Sequence, residues 1–330
     1  MSIGLKNSWP LFLGMLMLMI GNGLQGTLLG VRGGIEGFNP DIMSVVMAGY
    51  YIGILGGSKI APLMINRVGH VRVFAALASL ISACFILFPV FPSESIWFLL
   101  RVIIGFCFSG VYVVSESWLN DVSTNSNRGK ILSFYLIIQT LGIVLAQIIL
   151  NFADPNGYSL FIIASVVLSL SFTPILLSVA PAPPFDTTKP MGLRKLYETS
   201  PLGVVGLFLL GAIFGALFGM TAIFGTEIGM SVSQISLFVA LIYFGGMMFQ
   251  MPIGWISDRM DRRFLIIILS AIGAFFSILI FIINYHFVIY LIVAFLIGGM
   301  TNPLYSLFIA YTNDFLDHDD MAAAAGGLVF

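Results

Sequence analysis

The chain has 330 residues, of which 59% are hydrophobic and only 9% are charged, and its mean hydropathy is +1.04. Soluble domains carry about 25% charged residues, so this composition excludes a soluble protein and indicates a protein of the lipid bilayer. The net charge of −1 gives no reason to expect a nucleic-acid partner.

Apolar runs follow one another along the chain, each long enough to cross a hydrocarbon core of about 30 Å as a helix of about 20 residues. The first run is too long for a signal peptide and has no cleavage site before Arg32, so we interpret it as a retained helix. An eleventh run starts near Met321. The ten complete predicted spans are residues 9–31, 42–65, 71–91, 96–119, 129–151, 158–179, 201–224, 232–256, 264–284 and 286–311.

Positive residues are placed unevenly between these spans. Of the 14 Lys and Arg residues, 11 precede the first span, lie in the even-numbered connections or fall within two residues after such a connection. Because Lys and Arg accumulate on the cytoplasmic side of a membrane, we predict a cytoplasmic N-terminus. We expect a multi-pass protein of the cell (inner) membrane, present as a monomer.

Cysteine and histidine usage points to no cofactor and no metal. Cys84 and Cys107 fall inside predicted spans, where a thiol behaves as a small buried hydrophobe. The three histidines lie in or beside predicted loops, without metal-ligand spacing. A membrane enzyme would need such ligands, or a nucleophile with its base, so we predict that the protein is not an enzyme.

Residues 180–200 divide the chain into two parts. This stretch contains four prolines and three basic residues, which is typical of a cytoplasmic linker, with a short surface helix over 191–198. Residues 1–179 hold six predicted spans, and residues 201–330 hold spans seven to ten and the start of an eleventh.

The two parts also repeat each other weakly. We therefore predict an all-α membrane protein of two six-helix halves related by a pseudo-twofold axis, a plan found in many secondary transporters. By this repeat about 10.5 of 12 helices are present, so the C-terminal half is expected to be truncated. The matching pairs are, at an offset of 193 residues, Gly105 with Gly298, Tyr112 with Tyr305 and Asp121 with Asp314, and at 192, Asn66 with Asp258 and Arg67 with Arg259.

A family resemblance rests on residues 254–263, GWISDRMDRR. They resemble the loop signature G-x-x-x-D-R-x-G-R-R of the major facilitator superfamily, with Asp261 in place of the second glycine. The copy at 62–72, PLMINRVGHVR, keeps Arg67 and Gly69 but has Pro62 and Asn66 where the signature has Gly and Asp. The run ESWLND, followed by NRGK, is similar to the functionally unassigned bacterial YcaD-like branch.

The resemblance implies a secondary transporter that moves a small organic solute by rocker-switch alternating access. In that mechanism the charged loop is a latch whose ion pairs form and break as the halves move. The alternative is that the loop only obeys the positive-inside rule. The predicted cytoplasmic gate comprises Asn66, Arg67, Gly69, Glu116, Asp121, Gly254, Asp258, Arg259, Arg262 and Asp314.

Polar side chains inside the spans indicate a solute cavity, because they are costly in lipid and normally face a pathway. Arg101 could instead snorkel to the membrane surface, and the uncharged residues could form interhelical hydrogen bonds. Most lie on spans one, four, seven and ten, which line the cavity in the superfamily. The predicted cavity residues are Asn22, Gln25, Arg32, Arg101, Tyr112, Gln139, Thr221, Asn302 and Tyr305.

Charge within the spans bears on the solute. Arg32 and Arg101 meet no carboxylate at mid-span in the sequence, which favours an anionic or polar solute. The absence of such a carboxylate also argues against a coupling proton, although Glu36 or Glu227 leaves that partner open. The alternative function is a non-transporting membrane sensor or partner, or an inactive truncated product on the same fold.

Overall fold

The computed structural model describes residues 8–123, 128–177, 192–282 and 286–316. Within these ranges the chain is helical and has no strand, and ten helical segments are long and apolar enough to span a membrane. This confirms the predicted all-α membrane class and the ten spans. The expected start of an eleventh span, near Met321, lies outside the described residues.

The first five spans are single helices, whereas the sixth is broken. Pro174 has no backbone N–H to donate to the preceding turn, and the helix ends at Ser171 and restarts at Thr173. These elements are α1 (Trp9–Ile35), α2 (Pro40–Val68), α3 (His70–Val90), α4 (Glu94–Asp121), α5 (Arg128–Ile149), α6 (Ser159–Ser171) and α7 (Thr173–Leu176).

The seventh span is interrupted by a π-helix at Gly215–Met220. Such wider helical turns are rare overall, but many of those known lie at functional sites. The short helix expected in the linker is present as α8. The remaining elements are α8 (Leu193–Thr199), α9 (Pro201–Phe214), α10 (Thr221–Glu227), α11 (Val232–Ser257), α12 (Arg262–Ile282) and α13 (Phe287–Asn313).

Short polar residues set several helix ends. Asn39 Oδ1 accepts a hydrogen bond from the Asp41 amide at 2.8 Å at the start of α2, and Asp261 Oδ1 accepts one from the Arg263 amide at 2.8 Å at the start of α12. Each satisfies a donor that the first helical turn leaves without a partner. Gly69 joins α2 to α3 with a φ of 85°, which glycine adopts without steric cost.

The described helices group into two compact units. The first contains residues up to 177 together with Phe218–Ser236, and the second contains residues 192–217 and those from Leu237 onward. In the first unit α2 packs along α4, α1 packs against α5 and α6, and α3 packs against α4. In the second, α12 and α9 both pack against α13.

A close approach of α2 to α4 recurs between α11 and α13. A Cβ atom on Gly105 would overlap the carbonyl oxygen of Tyr50, and one on Gly298 would overlap the carbonyl oxygen of Ile242. Gly105 and Gly298 are 193 residues apart, and Tyr50 and Ile242 are 192 residues apart. The same backbone contact therefore occurs at equivalent places in both parts of the chain.

A second contact follows the same register. The Cβ position of Gly53 overlaps the carbonyl oxygen of Val102, and that of Gly245 overlaps the carbonyl oxygen of Phe295. These residues again correspond at offsets of 192 and 193. Small residues permit this spacing because helices can then touch through their backbones. The internal repeat predicted from scattered identities is thus visible in the packing of two helix pairs.

Candidate functional site

A polar cluster lies where α1, α2 and α4 meet in the first unit. Asn22 Nδ2 donates a hydrogen bond to the Tyr112 hydroxyl at 3.2 Å. The Tyr50 hydroxyl lies beside this pair and interacts with the Tyr112 and Asn22 side chains. Three helices thus contribute one side chain each to a single polar group.

Arg101 completes this cluster from inside the helix bundle. Its side chain is 4% exposed, its guanidinium carbon lies 4.8 Å from the centre of the Tyr50 ring, and Nη2 donates to the Met47 carbonyl oxygen at 3.0 Å. Among the described residues Nε has no hydrogen-bond partner, and no carboxylate of theirs lies within salt-bridge distance. The alternative that Arg101 snorkels to the membrane surface is therefore wrong, because its charge stays buried.

Gln25 lies one helical turn beyond Asn22 on α1. Its side chain is 1% exposed, and neither Nε2 nor Oε1 finds a hydrogen-bond partner among the described residues. The neighbouring Gly26 faces the π-helix, since a Cβ atom there would lie 3.4 Å from the Phe218 carbonyl oxygen. A buried amide with both polar atoms unsatisfied is rare in native structures and calls for an explanation.

Arg32 has a different position from the one its cavity assignment requires. Nε donates to Glu36 Oε1 at 2.7 Å, and Nη1 donates to the carbonyl oxygens of Pro155, at 3.1 Å, and of Asn156. The guanidinium therefore fastens the loop before α6 to the end of α1. We correct the cavity assignment of Arg32 to a structural one, because its donors are already used by the protein.

The remaining predicted cavity residues lie on α5, α10 and α13. Gln139 is half-buried on α5, and Thr221 is buried at the start of α10. In the second unit, Asn302 Nδ2 donates to the Gly298 carbonyl oxygen of its own helix at 3.0 Å. Tyr305 is 39% exposed. Their roles in solute binding stay predictions.

The charged loop before α12 contains an ion pair. Arg262 Nη1 bonds to Asp314 Oδ1 at the end of α13, and Nη2 lies 3.7 Å from Asp258 Oδ1. Arg262 Nε also donates to the Ser257 hydroxyl at 3.3 Å. Arg262 thus ties the ends of α11 and α13 together, which is the pairing that a latch needs, although the gating role stays a prediction.

Two other members of this signature are placed differently. Arg259 stacks on Trp255, with its guanidinium carbon 3.9 Å from the ring centre, and donates to the Trp255 carbonyl oxygen at 3.0 Å. A Cβ atom on Gly254 would meet no atom of the described chain within 4 Å. Gly254 thus makes no close helix contact with the described residues, and its place in the gate stays a prediction.

The corresponding loop of the first unit is built differently. Asn66 and Arg67 are exposed, as is Glu116, and within the described ranges neither Arg67 nor Glu116 forms a salt bridge. His70 stands where Arg262 stands in the repeat, is 1% exposed and lies 2.6 Å from the Ser117 hydroxyl through Nε2. Asp121, the counterpart of Asp314 in the repeat, lies at the nearby end of α4 and acts electrostatically on His70.

Neither the role of Tyr50 nor the burial of His70 was predicted from the sequence. Tyr50 reads as one of two adjacent aromatic residues in an apolar span, and only the approach of α2 to α4 at Gly105 brings its ring beneath Arg101. The glycines at 49, 53 and 57, spaced by four residues, were the signal of that approach. His70 follows Gly69 and is expected from the sequence in or beside a loop, yet it begins α3 and its ring packs edge-on against Trp118.

Comparison with known sequences gives a consistent result over most of the chain. The sequence model of the Major Facilitator Superfamily matches residues 11–330. The uncharacterized MFS-type transporter YfkF of Bacillus subtilis (strain 168) is 25% identical over 272 residues, which is 80% of this chain and 70% of that protein. The uncharacterized MFS-type transporter YcaD of Escherichia fergusonii is 28% identical over 269 residues, or 79% and 69% of the two chains.

Solved structures share the fold at low sequence identity. The nucleoside transporter NupG superposes with a TM-score of 0.76 at 12% identity, covering 100% of this chain and 86% of that chain. A bacterial homologue of the human lysosomal transporter Spinster, inward-facing and unoccupied, gives a TM-score of 0.71 at 14% identity, with 100% and 82% coverage. At these identities the superpositions establish the fold alone.

Proposed function

Because the chain belongs to the major facilitator superfamily and is a multi-pass membrane protein, we propose that it is a secondary active transporter of a small anionic organic solute. Its two halves would expose one polar site to each side of the inner membrane in turn, by rocker-switch alternating access. The placement of Lys and Arg between the spans supports a cytoplasmic N-terminus. A coupling proton and a monomeric state remain predictions.

The buried charge of Arg101 is the observation that carries this proposal. A cation taken out of water costs several kcal/mol unless an opposite charge balances it. The contact with the Tyr50 ring stabilises the cation by only about 0.5–2 kcal/mol. The Met47 carbonyl oxygen that accepts its hydrogen bond has no net negative charge. A solute carboxylate or phosphate would supply the missing charge and form a charge-assisted hydrogen bond with Nε.

The site around Arg101 suits a small organic molecule. Asn22, Tyr50 and Tyr112 bring hydroxyl and amide groups from three helices to one place beside the guanidinium. Solute sites of this kind combine apolar walls with a few convergent polar groups. The pair Arg262–Asp314 would hold the predicted cytoplasmic gate in one state of the cycle.

Uptake into proteoliposomes tests the proposal. The full-length protein would be supplied with a panel of labelled carboxylates, phosphates, amino acids and sugars, and a saturable uptake of an organic anion is expected. Arg101→Gln should lower that uptake at least about 30-fold, because removing one partner of a buried charge pair costs about 2 kcal/mol or more. Arg101→Lys should retain more activity than Arg101→Gln, since it keeps the charge.

The matched control is Arg194→Gln on α8. Arg194 has 93% of its side chain exposed and, among the described residues, pairs with Glu198 of the same helix, so its loss should leave uptake unchanged. Size-exclusion profiles would show that all variants are folded. Uptake of neutral or cationic solutes alone, or equal uptake by Arg101→Gln and the unmodified protein, would contradict an anionic solute at this site.

A further inference from the structure

The buried amide of Gln25 narrows the chemistry of the solute further than the charge of Arg101 does. Its amide is almost fully buried, and both Nε2 and Oε1 lack partners within the part of the chain described. The other buried glutamine of this unit, Gln147, uses its Nε2 to donate to the Gly23 carbonyl oxygen at 3.2 Å. The helix packing therefore satisfies the donor of one buried amide and neither atom of the other.

The cluster connects the part of α1 that holds Gln25 with the charge of Arg101. Asn22, one turn before Gln25 and along the same stripe of α1, reaches Tyr112 on α4 and the Tyr50 hydroxyl. The ring of that same Tyr50 lies beneath the guanidinium of Arg101. One tyrosine side chain thus spans the gap between the polar stripe of α1 and the buried cation.

The unsatisfied atoms of these two residues define complementary chemistry. A primary amide offers one donor and one acceptor side by side, an arrangement matched by the N–H and C=O edge of another amide or of a lactam ring. Arg101 Nε, also buried without a partner, is a charged donor suited to an anionic oxygen. A single molecule that carries both an anionic oxygen and an amide-type edge would satisfy both Arg101 and Gln25.

We infer that the solute is an organic anion that also carries an amide-type edge, bound through its charge by Arg101 and through its edge by Gln25. This inference rests on the proposed transport function and narrows it to one substrate class. Gln25 is enclosed in the present conformation, with Gly26 against residue 218 of the π-helix. The solute reaches Gln25 when α1 separates from that segment.

Three planar probes test the inference by binding to the purified full-length protein. Orotate has a carboxylate and a lactam edge, benzoate has the carboxylate without the edge, and uracil has the edge without the carboxylate. We expect orotate to bind at least tenfold more tightly than either of the others. Gln25→Leu should abolish the preference of orotate over benzoate, and Arg101→Gln should abolish its preference over uracil.

Gln147→Leu is the matched control, because it removes a buried amide whose donor is already satisfied by Gly23. It should leave the order of the three affinities unchanged. Equal binding of orotate and benzoate, an unchanged preference in Gln25→Leu, or binding of none of the three would overturn the inference. If the protein takes up an anion that has no amide edge, and if this uptake depends on Arg101, the inference is refuted and the proposed function stands. Failure to carry any anion would refute both.

Discussion

Replacing Gln25 by leucine, a side chain of similar size, should stabilise the protein while it damages solute recognition. Each buried polar atom without a partner costs about 1–3 kcal/mol, and the Gln25 amide has two such atoms within the described chain. Because the branched leucine end must repack, we expect a net gain of about 1–3 kcal/mol in the free energy of unfolding.

Thermal unfolding in detergent measures this gain. Cys84 and Cys107 are buried free thiols, so a thiol-reactive fluorescent dye would report their exposure as the helices separate. At roughly 2 °C per kcal/mol for a chain of this size, the melting temperature of Gln25→Leu should rise by about 2–6 °C. This opposition between stability and activity is common where a site is built for a ligand.

The control should gain less. Gln147→Leu also removes one buried atom without a partner in the described chain, Oε1, but it loses the hydrogen bond to the Gly23 carbonyl oxygen, and an interhelical hydrogen bond in a membrane protein contributes about 0.6 kcal/mol on average. Its melting temperature should therefore rise less than that of Gln25→Leu. A fall in the melting temperature of Gln25→Leu would show that the Gln25 amide has a partner, and the argument from its unsatisfied atoms would be refuted.

Three further variants test the packing and the loops. Gly105→Ala should destabilise the protein by at least about 1–3 kcal/mol in thermal unfolding, because its Cβ would overlap the Tyr50 carbonyl; Gly211→Ala, whose Cβ meets no described atom within 4 Å, should have little effect. Asp314→Asn should alter the rate of transport more than the stability, and a double-mutant cycle with Arg262→Gln should show coupling that weakens in high salt. Arg32→Met should leave solute affinity unchanged and make the loop at 151–158 more sensitive to protease, whereas a loss of affinity would restore Arg32 to the site.

The class and the span pattern of this protein follow directly from its sequence. A run of about 20 apolar residues is stable in lipid as a helix, because a helix forms its backbone hydrogen bonds within itself. The number of spans and their approximate bounds were therefore predictable. The repeat was also detectable, because the close contacts at Gly105 and Gly298 tolerate no side chain at either position. Glycines kept for that reason remain matched even where the surrounding residues have diverged.

Side-chain roles were less predictable, since they depend on which helices approach each other. Arg101 and Arg32 look alike in sequence as single cations near span ends, yet the first is buried on Tyr50 and the second fastens a loop. The interruption at Gly215–Met220 likewise depends on packing, because no proline marks it. Only Pro174, which breaks the sixth span, carried a local signal.

The central claim is that the polar cluster around Arg101 is reached alternately from the two sides of the membrane. A single cysteine at position 22, in a protein with Cys84→Ala and Cys107→Ala, would test it with a membrane-impermeant maleimide applied to right-side-out and inside-out vesicles. We predict that Asn22→Cys is modified from both sides and is protected by the transported anion. Modification from one side only, unaffected by any anion that the protein carries, would contradict alternating access at this site.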